Sequence, residues 1–177
     1  VVRPAHIETR RNDWHPVPRL EFYVDFETVS NLDDDFSRIP NHGGLDLIFM
    51  VGCGHFEGGQ WIYRCFTVRR LTEPHEVQIL DAWFAHMHAV RDRLAPGSDP
   101  KVIHWSHAER TWLETAHYAA AKRHPEKDWP HPNWFDFLTQ VVREEPVVVR
   151  GAHGFGLKAV TKAMHQHGLV ETEWGDG

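Results

Sequence analysis

Residues 45–70 read "LDLIFMVGCGHFEGGQWIYRCFTVRR". Two runs rich in β-branched and aromatic residues flank the pair Gly58-Gly59, which supplies the positive φ angles of a tight hairpin turn. The pattern predicts strands at about 46–55 and 60–69, joined as a β-hairpin. A hairpin is only marginally stable alone, so this one needs a further strand and a helix to cover it.

The further strand precedes it. Residues 22–29, "FYVDFETV", predict a strand over about 20–29. Side chains alternate between faces in a strand, so Phe22, Val24, Phe26 and Thr28 point one way and Tyr23, Asp25, Glu27 and Val29 the other. Two carboxylates therefore share a face, with Cβ atoms roughly 7 Å apart. One reading is an edge strand with both acids in water. The other is a buried strand, in which two like charges cost several kcal/mol or force a proton onto one of them. A divalent cation resolves that conflict, because Mg²⁺ or Mn²⁺ takes a few hard oxygen ligands and keeps water and phosphate as the rest.

Downstream, Thr72 is a candidate cap for a helix with Glu73 and Pro74 in its first turn. Leu80, Trp83, Phe84, Met87, Val90 and Leu94 then recur at helical spacing. "APGSDP" ends that helix before a short strand, "KVIHW". Ser106 is expected to begin a helix running to about Arg123, with Ser106-x-x-Glu109 as a capping box. "WFDFL" predicts a short helix capped by Asn133, and a last helix starts near Gly156, with Leu157, Val160, Thr161 and Met164 on one face. Residues 1–19 form a polar lead-in, and 30–44 a loop rich in turn formers.

Roughly 32 residues between the hairpin and "KVIHW" suit a helical crossover to a strand beside the first. The expected fold is α/β: an antiparallel meander followed by a parallel strand, with helices packed on the mixed sheet.

Composition narrows the function. With 177 residues, 41% hydrophobic and 25% charged, the chain has the makeup of a globular domain. Without an apolar run of about 20 residues or a signal-peptide core, a cytoplasmic protein without membrane contact is the expectation. A net charge of −6 excludes a binder built on a broad basic surface. The 15 histidines lack H-E-x-x-H spacing and the two cysteines, Cys53 and Cys65, lack C-x-x-C spacing, so zinc is not indicated. Both cysteines are expected as buried free thiols on adjacent strands.

Four segments, "YVDFET", "HWSHAERTWL", "WFDFL" and "GFGLKAVTKAM", occur in that order. Together they resemble the ribonuclease-H-like domain found beside RecB-type nucleases and helicases, of the DEDD (DnaQ-like) exonuclease type. The resemblance covers about residues 20–177. It implies a ribonuclease-H-like sheet and a divalent-metal-dependent nuclease, a 3'-5' exonuclease acting on DNA or RNA by a two-metal mechanism. Asp25, Glu27 and Glu109 would be its catalytic metal ligands, with Mg²⁺ or Mn²⁺ as cofactor and a helicase or RecB-type nuclease as a fused or associated partner.

The second motif usually has the form H-N-x-x-F-D-x-x-F-L, so Glu109 stands where the family has Asp. The third, a Tyr or His four residues before an Asp, is not found. His167-x-x-x-Glu171 straddles Gly168, where a helix should stop, and Thr172 precedes Asp176 at that spacing. The expectation is a chain that stops short of its general base and fourth carboxylate. Asp136 is a further candidate ligand, although Asn133-x-x-Asp136 also resembles a capping pair. His104 and Lys158 are candidate substrate contacts. Lys158 lies near a helix N-terminus that could meet a phosphate, and a solvated lysine is the plainer reading. The eight tryptophans offer base-stacking surfaces, although Trp83 and Trp112 fit core positions. Alternatives are a catalytically idle module for nucleic-acid binding or docking, and a structure-selective endonuclease such as a junction resolvase.

Overall fold

The computed structural model describes residues 1–5, 20–29, 47–114, 116 and 123–171. The loop 30–44, most of the lead-in, the end of the helix expected to reach Arg123, and Thr172 and Asp176 lie outside the described residues. Two compact units are present, Val17–Phe135 and Val1–Pro16 with Asp136–Gly177.

The smaller unit begins with β1 (Val2–Arg3). The larger holds β2 (Glu21–Val29), β3 (Leu47–Glu57), β4 (Gln60–Thr67), α1 (Glu73–Leu94), β5 (Lys101–His104), α2 (Ala108–Leu113) and most of β6 (Asn133–Asp136). Strand order is β4-β3-β2-β5-β6. β2 pairs antiparallel with β3, β3 antiparallel with β4, and β2 parallel with β5. The fold is therefore α/β with a mixed sheet, an antiparallel meander followed by a parallel strand. Gly58 and Gly59 turn the hairpin at φ +57° and +81°, conformations that only glycine adopts without strain.

The core sits on one face of this sheet. Phe22, Val24 and Phe26 of β2, with Val51 and Cys53 of β3, are buried beneath Leu80, Trp83, Phe84, Met87 and Val90 of α1. Phe26 meets Trp83 edge-on at 5.2 Å between ring centres. Leu94, at the helix end, is exposed. Thr72 precedes α1 but makes no side-chain cap to the backbone; its hydroxyl pairs with His75 Nδ1 at 2.7 Å.

Burial also encloses a charge. The Glu76 carboxylate is fully buried and accepts from Ile48 N (2.7 Å), Arg123 Nε and Nη2 (2.9 and 2.7 Å), and His124 Nε2 at 2.6 Å. Burial alone opposes ionisation, but the His124, Arg123 and Ile48 donors outweigh it and hold the pKa below the ordinary carboxylate value.

Three local expectations are corrected. Ser106 has φ +89°, outside the extended region an N-cap needs, and α2 starts instead from His107, which makes no side-chain cap. Asn133 opens strand β6 rather than capping a helix. The cap three residues on is Asp136, which accepts from Thr139 N (3.1 Å) and Thr139 Oγ1 (2.6 Å) ahead of the π-helical turn Leu138–Arg143. The cysteines sit on adjacent strands but opposite faces, since Cys53 pairs with Arg64 and Cys65 with Gly52. Both are free. Cys53 is buried, its thiol pushed up to about 12 by desolvation, and Cys65 is exposed rather than buried.

The smaller unit continues with β7 (Val148–Val149), antiparallel to β1, and α3 (Leu157–Gln166). α3 closes at Gly168, φ +65°, with Leu169 N donating to Met164 O, as the position of that glycine predicts. Of the expected apolar face, Leu157 is exposed, and the buried residue is Ala163. Among the described residues, no helix is long and apolar enough to cross a membrane.

Replacing Glu76 with Gln strands a buried guanidinium and imidazole. Urea unfolding of Glu76→Gln should show a loss of about 3–5 kcal/mol. In the parent, the carboxylate's contribution is present above the unfolded carboxylate pKa and drains as pH falls through the lower folded value, so stability should fall in acid.

Candidate functional site

β2 is central, not an edge, yet its acids face water. Asp25 lies opposite Gly52 and Glu27 opposite Met50 on β3, and both carboxylates are exposed on the face away from α1. The pair keeps its shared face and its spacing of roughly 7 Å. Its burial does not hold, so desolvation supplies no demand for a cation here.

Glu109 is placed differently. β5 runs parallel to β2 with Tyr23 beside Ile103, which sets His104 beside Val24 on the α1 side. The His104 ring is buried edge-on against Trp134 at 5.1 Å, and Trp134 in turn meets Phe26 at 6.4 Å. Glu109, the second residue of α2, is also buried, with Oε2 3.3 Å from His104 Nδ1. Neither His104 nitrogen nor that oxygen completes an aligned hydrogen bond. The structure brings Glu109 to His104 and leaves Asp25 and Glu27 on the opposite face. Among the described residues, no three His, Cys, Asp or Glu side chains form a group able to hold a metal ion.

Two hard carboxylates on one face are of the ligand type that Mg²⁺ or Mn²⁺ takes. Glu109, as it stands, does not join them. Asp136 and Lys158 belong to the other compact unit. Asp136 is engaged as a cap, and Lys158 is exposed in the first turn of α3 after Gly156.

Around the acids lies a feature visible in the sequence as spacing. Trp61 and Tyr63 alternate on β4, where they pair with Phe56 and Gly54 of β3, and their rings lean onto Gly54 and Gly52. Trp61, Tyr63 and Phe56 are 47%, 57% and 57% exposed. Tyr23 meets Phe56 and Trp61 edge-on at 6.4 and 5.5 Å, and its hydroxyl donates to Glu21 at 3.1 Å. Burial and the Glu21 charge push that phenol up to about 12. A period-2 aromatic pattern opposite a period-2 glycine pattern is the signal that identifies this surface.

No protein-family model matches the chain, and no curated protein matches it in sequence.

Truncating Glu109 leaves the buried His104 facing a void. Glu109→Ala should lose about 0.5–3 kcal/mol of stability without any metal present, the range for opening a cavity at a buried site. An unchanged urea midpoint would show that the carboxyl is not held at His104.

Proposed function

We propose that this domain is a divalent-metal-dependent nuclease of ribonuclease-H-like type, a 3'-5' exonuclease that hydrolyses DNA or RNA phosphodiesters. One observation carries the reading: Asp25 and Glu27 stand together on the central strand, and its parallel neighbour leads directly into the helix bearing Glu109. The meander-then-parallel sheet is the arrangement the motif resemblance implies. Asp25 and Glu27 would hold Mg²⁺ or Mn²⁺, which supplies an activated water and neutralises charge on the leaving oxygen. A second ion requires Glu109 to leave His104 for the other face. His104 then acts as the resting partner of Glu109 and not as a substrate contact. A helicase or RecB-type nuclease is the proposed associated protein, and the cytoplasm the proposed location.

A second reading is favoured by the position of Glu109. A ribonuclease-H-like module that binds nucleic acid or docks a partner without turnover needs no convergence of the three acids.

Manganese separates the two. At 100 times its Kd, Mn²⁺ should stabilise the nuclease by about 2.7 kcal/mol, visible as a raised melting temperature. Asp25→Asn should abolish that rise together with Mn²⁺-dependent digestion of labelled single-stranded DNA. Without metal, the variant should melt within about 0.5 kcal/mol of the parent, as expected at an exposed site. A parent that neither digests DNA nor responds to Mn²⁺ is the idle module.

A further inference from the structure

We propose that Trp61 and Tyr63 form a stacking surface for the unpaired bases of a single-stranded nucleic acid, laid across β3 and β4 beside Asp25 and Glu27. The choice of ligand rests on the nuclease reading above.

The geometry of the two rings carries the inference. Trp61 pairs with Phe56 but leans onto Gly54, where any Cβ would overlap its six-membered ring. Tyr63 pairs with Gly54 but leans onto Gly52, where a Cβ would lie 2.5 Å from the phenol oxygen and 3.3 Å from two ring carbons. Each glycine therefore lets a ring lie down over the backbone and leave its other side to water. The rings are two residues apart on one strand, roughly 7 Å. Sheets that present exposed aromatics in this way bind successive single-stranded bases, and stacking is tolerant of sequence because every base has a π face.

Position fits the same ligand. Asp25 lies opposite Gly52, the glycine that the Tyr63 ring overlies. A strand with its bases down on the rings turns its phosphates away from Asp25 and Glu27, so that stacking, and not charge, must supply its affinity for a chain of net charge −6. It leaves the exposed face that carries Asp25 and Glu27 in contact with water. A protein docked over the same patch would strip water from both acids, at a cost of several kcal/mol unless it brought matching cations.

The test is fluorescence anisotropy of a labelled oligo-dT in EDTA, where binding is read without turnover. Trp61→Ala and Tyr63→Ala should each weaken binding by roughly 5- to 150-fold, the range for loss of one stacked base. Trp61→Phe should keep most of the affinity, and a blunt duplex of equal length should bind at least about tenfold more weakly than the oligonucleotide. Both rings are exposed, so unchanged far-ultraviolet circular dichroism should accompany each variant. The inference is overturned if both alanine variants bind like the parent, or if the parent shows no saturable oligonucleotide binding. It is also overturned if a polyarginine peptide, and not the oligonucleotide, binds through Trp61. Manganese melting is read separately: no Mn²⁺ response with Trp61-dependent oligonucleotide binding would sink the metal assignment and leave the stacking surface standing.

Discussion

One-sided burial of the central strand governs this fold. Phe22, Val24 and Phe26 are covered by α1, and each buried aromatic or aliphatic side chain contributes about 1.5–3 kcal/mol relative to exposure. A slip of one residue in β2 would exchange that set for Tyr23, Asp25 and Glu27. The register is thereby fixed, and with it the direction of every functional candidate on the strand. The acids face outward because Phe26 between them faces in. The same register sends His104 into the core, since β5 follows β2 in parallel.

A buried charge fixes segments far apart in the chain. Glu76 binds Ile48 N, at the start of the hairpin, and Arg123 and His124, beyond α2. The segment carrying Glu109 is thus held at one end by β5 pairing and at the other by this network. A buried ion pair adds little net stability compared with apolar packing. Its effect here is positional, because a carboxylate saturated by four donors admits few other arrangements of those segments.

The elements that were legible in the sequence are those with strong periodicity. The alternation of β2, the Gly58-Gly59 hairpin and the stripe of α1 each state a local preference that tertiary packing reinforces. Capping signals were less informative. Ser106-x-x-Glu109 has the right letters, but Ser106 takes a left-handed conformation and Glu109 turns to His104. Asn133 and Asp136 both look like caps, and pairing at the sheet edge draws the first into a strand and leaves the cap to the second. Whether three acids converge depends on which face of the sheet each one reaches. For Glu109 that is decided by the turn after β5, which no spacing rule encodes.

The electrostatics of the open face set the terms for any cation there. Two exposed charges roughly 7 Å apart in water repel by only about 0.6 kcal/mol. Their mutual repulsion is therefore small, unlike that of a buried pair, and affinity for the proposed cation would have to come from coordination itself. A third carboxylate would strengthen it, but Glu109 would first have to leave its buried place 3.3 Å from His104. The balance lies between the energy of one further metal–oxygen contact and that of one buried contact. If coordination wins, metal loading and the rearrangement of α2 are a single event. If it loses, the proposed cation would rest on two carboxylates and water, and the proposed nucleic-acid strand would be held on the aromatic face by stacking alone.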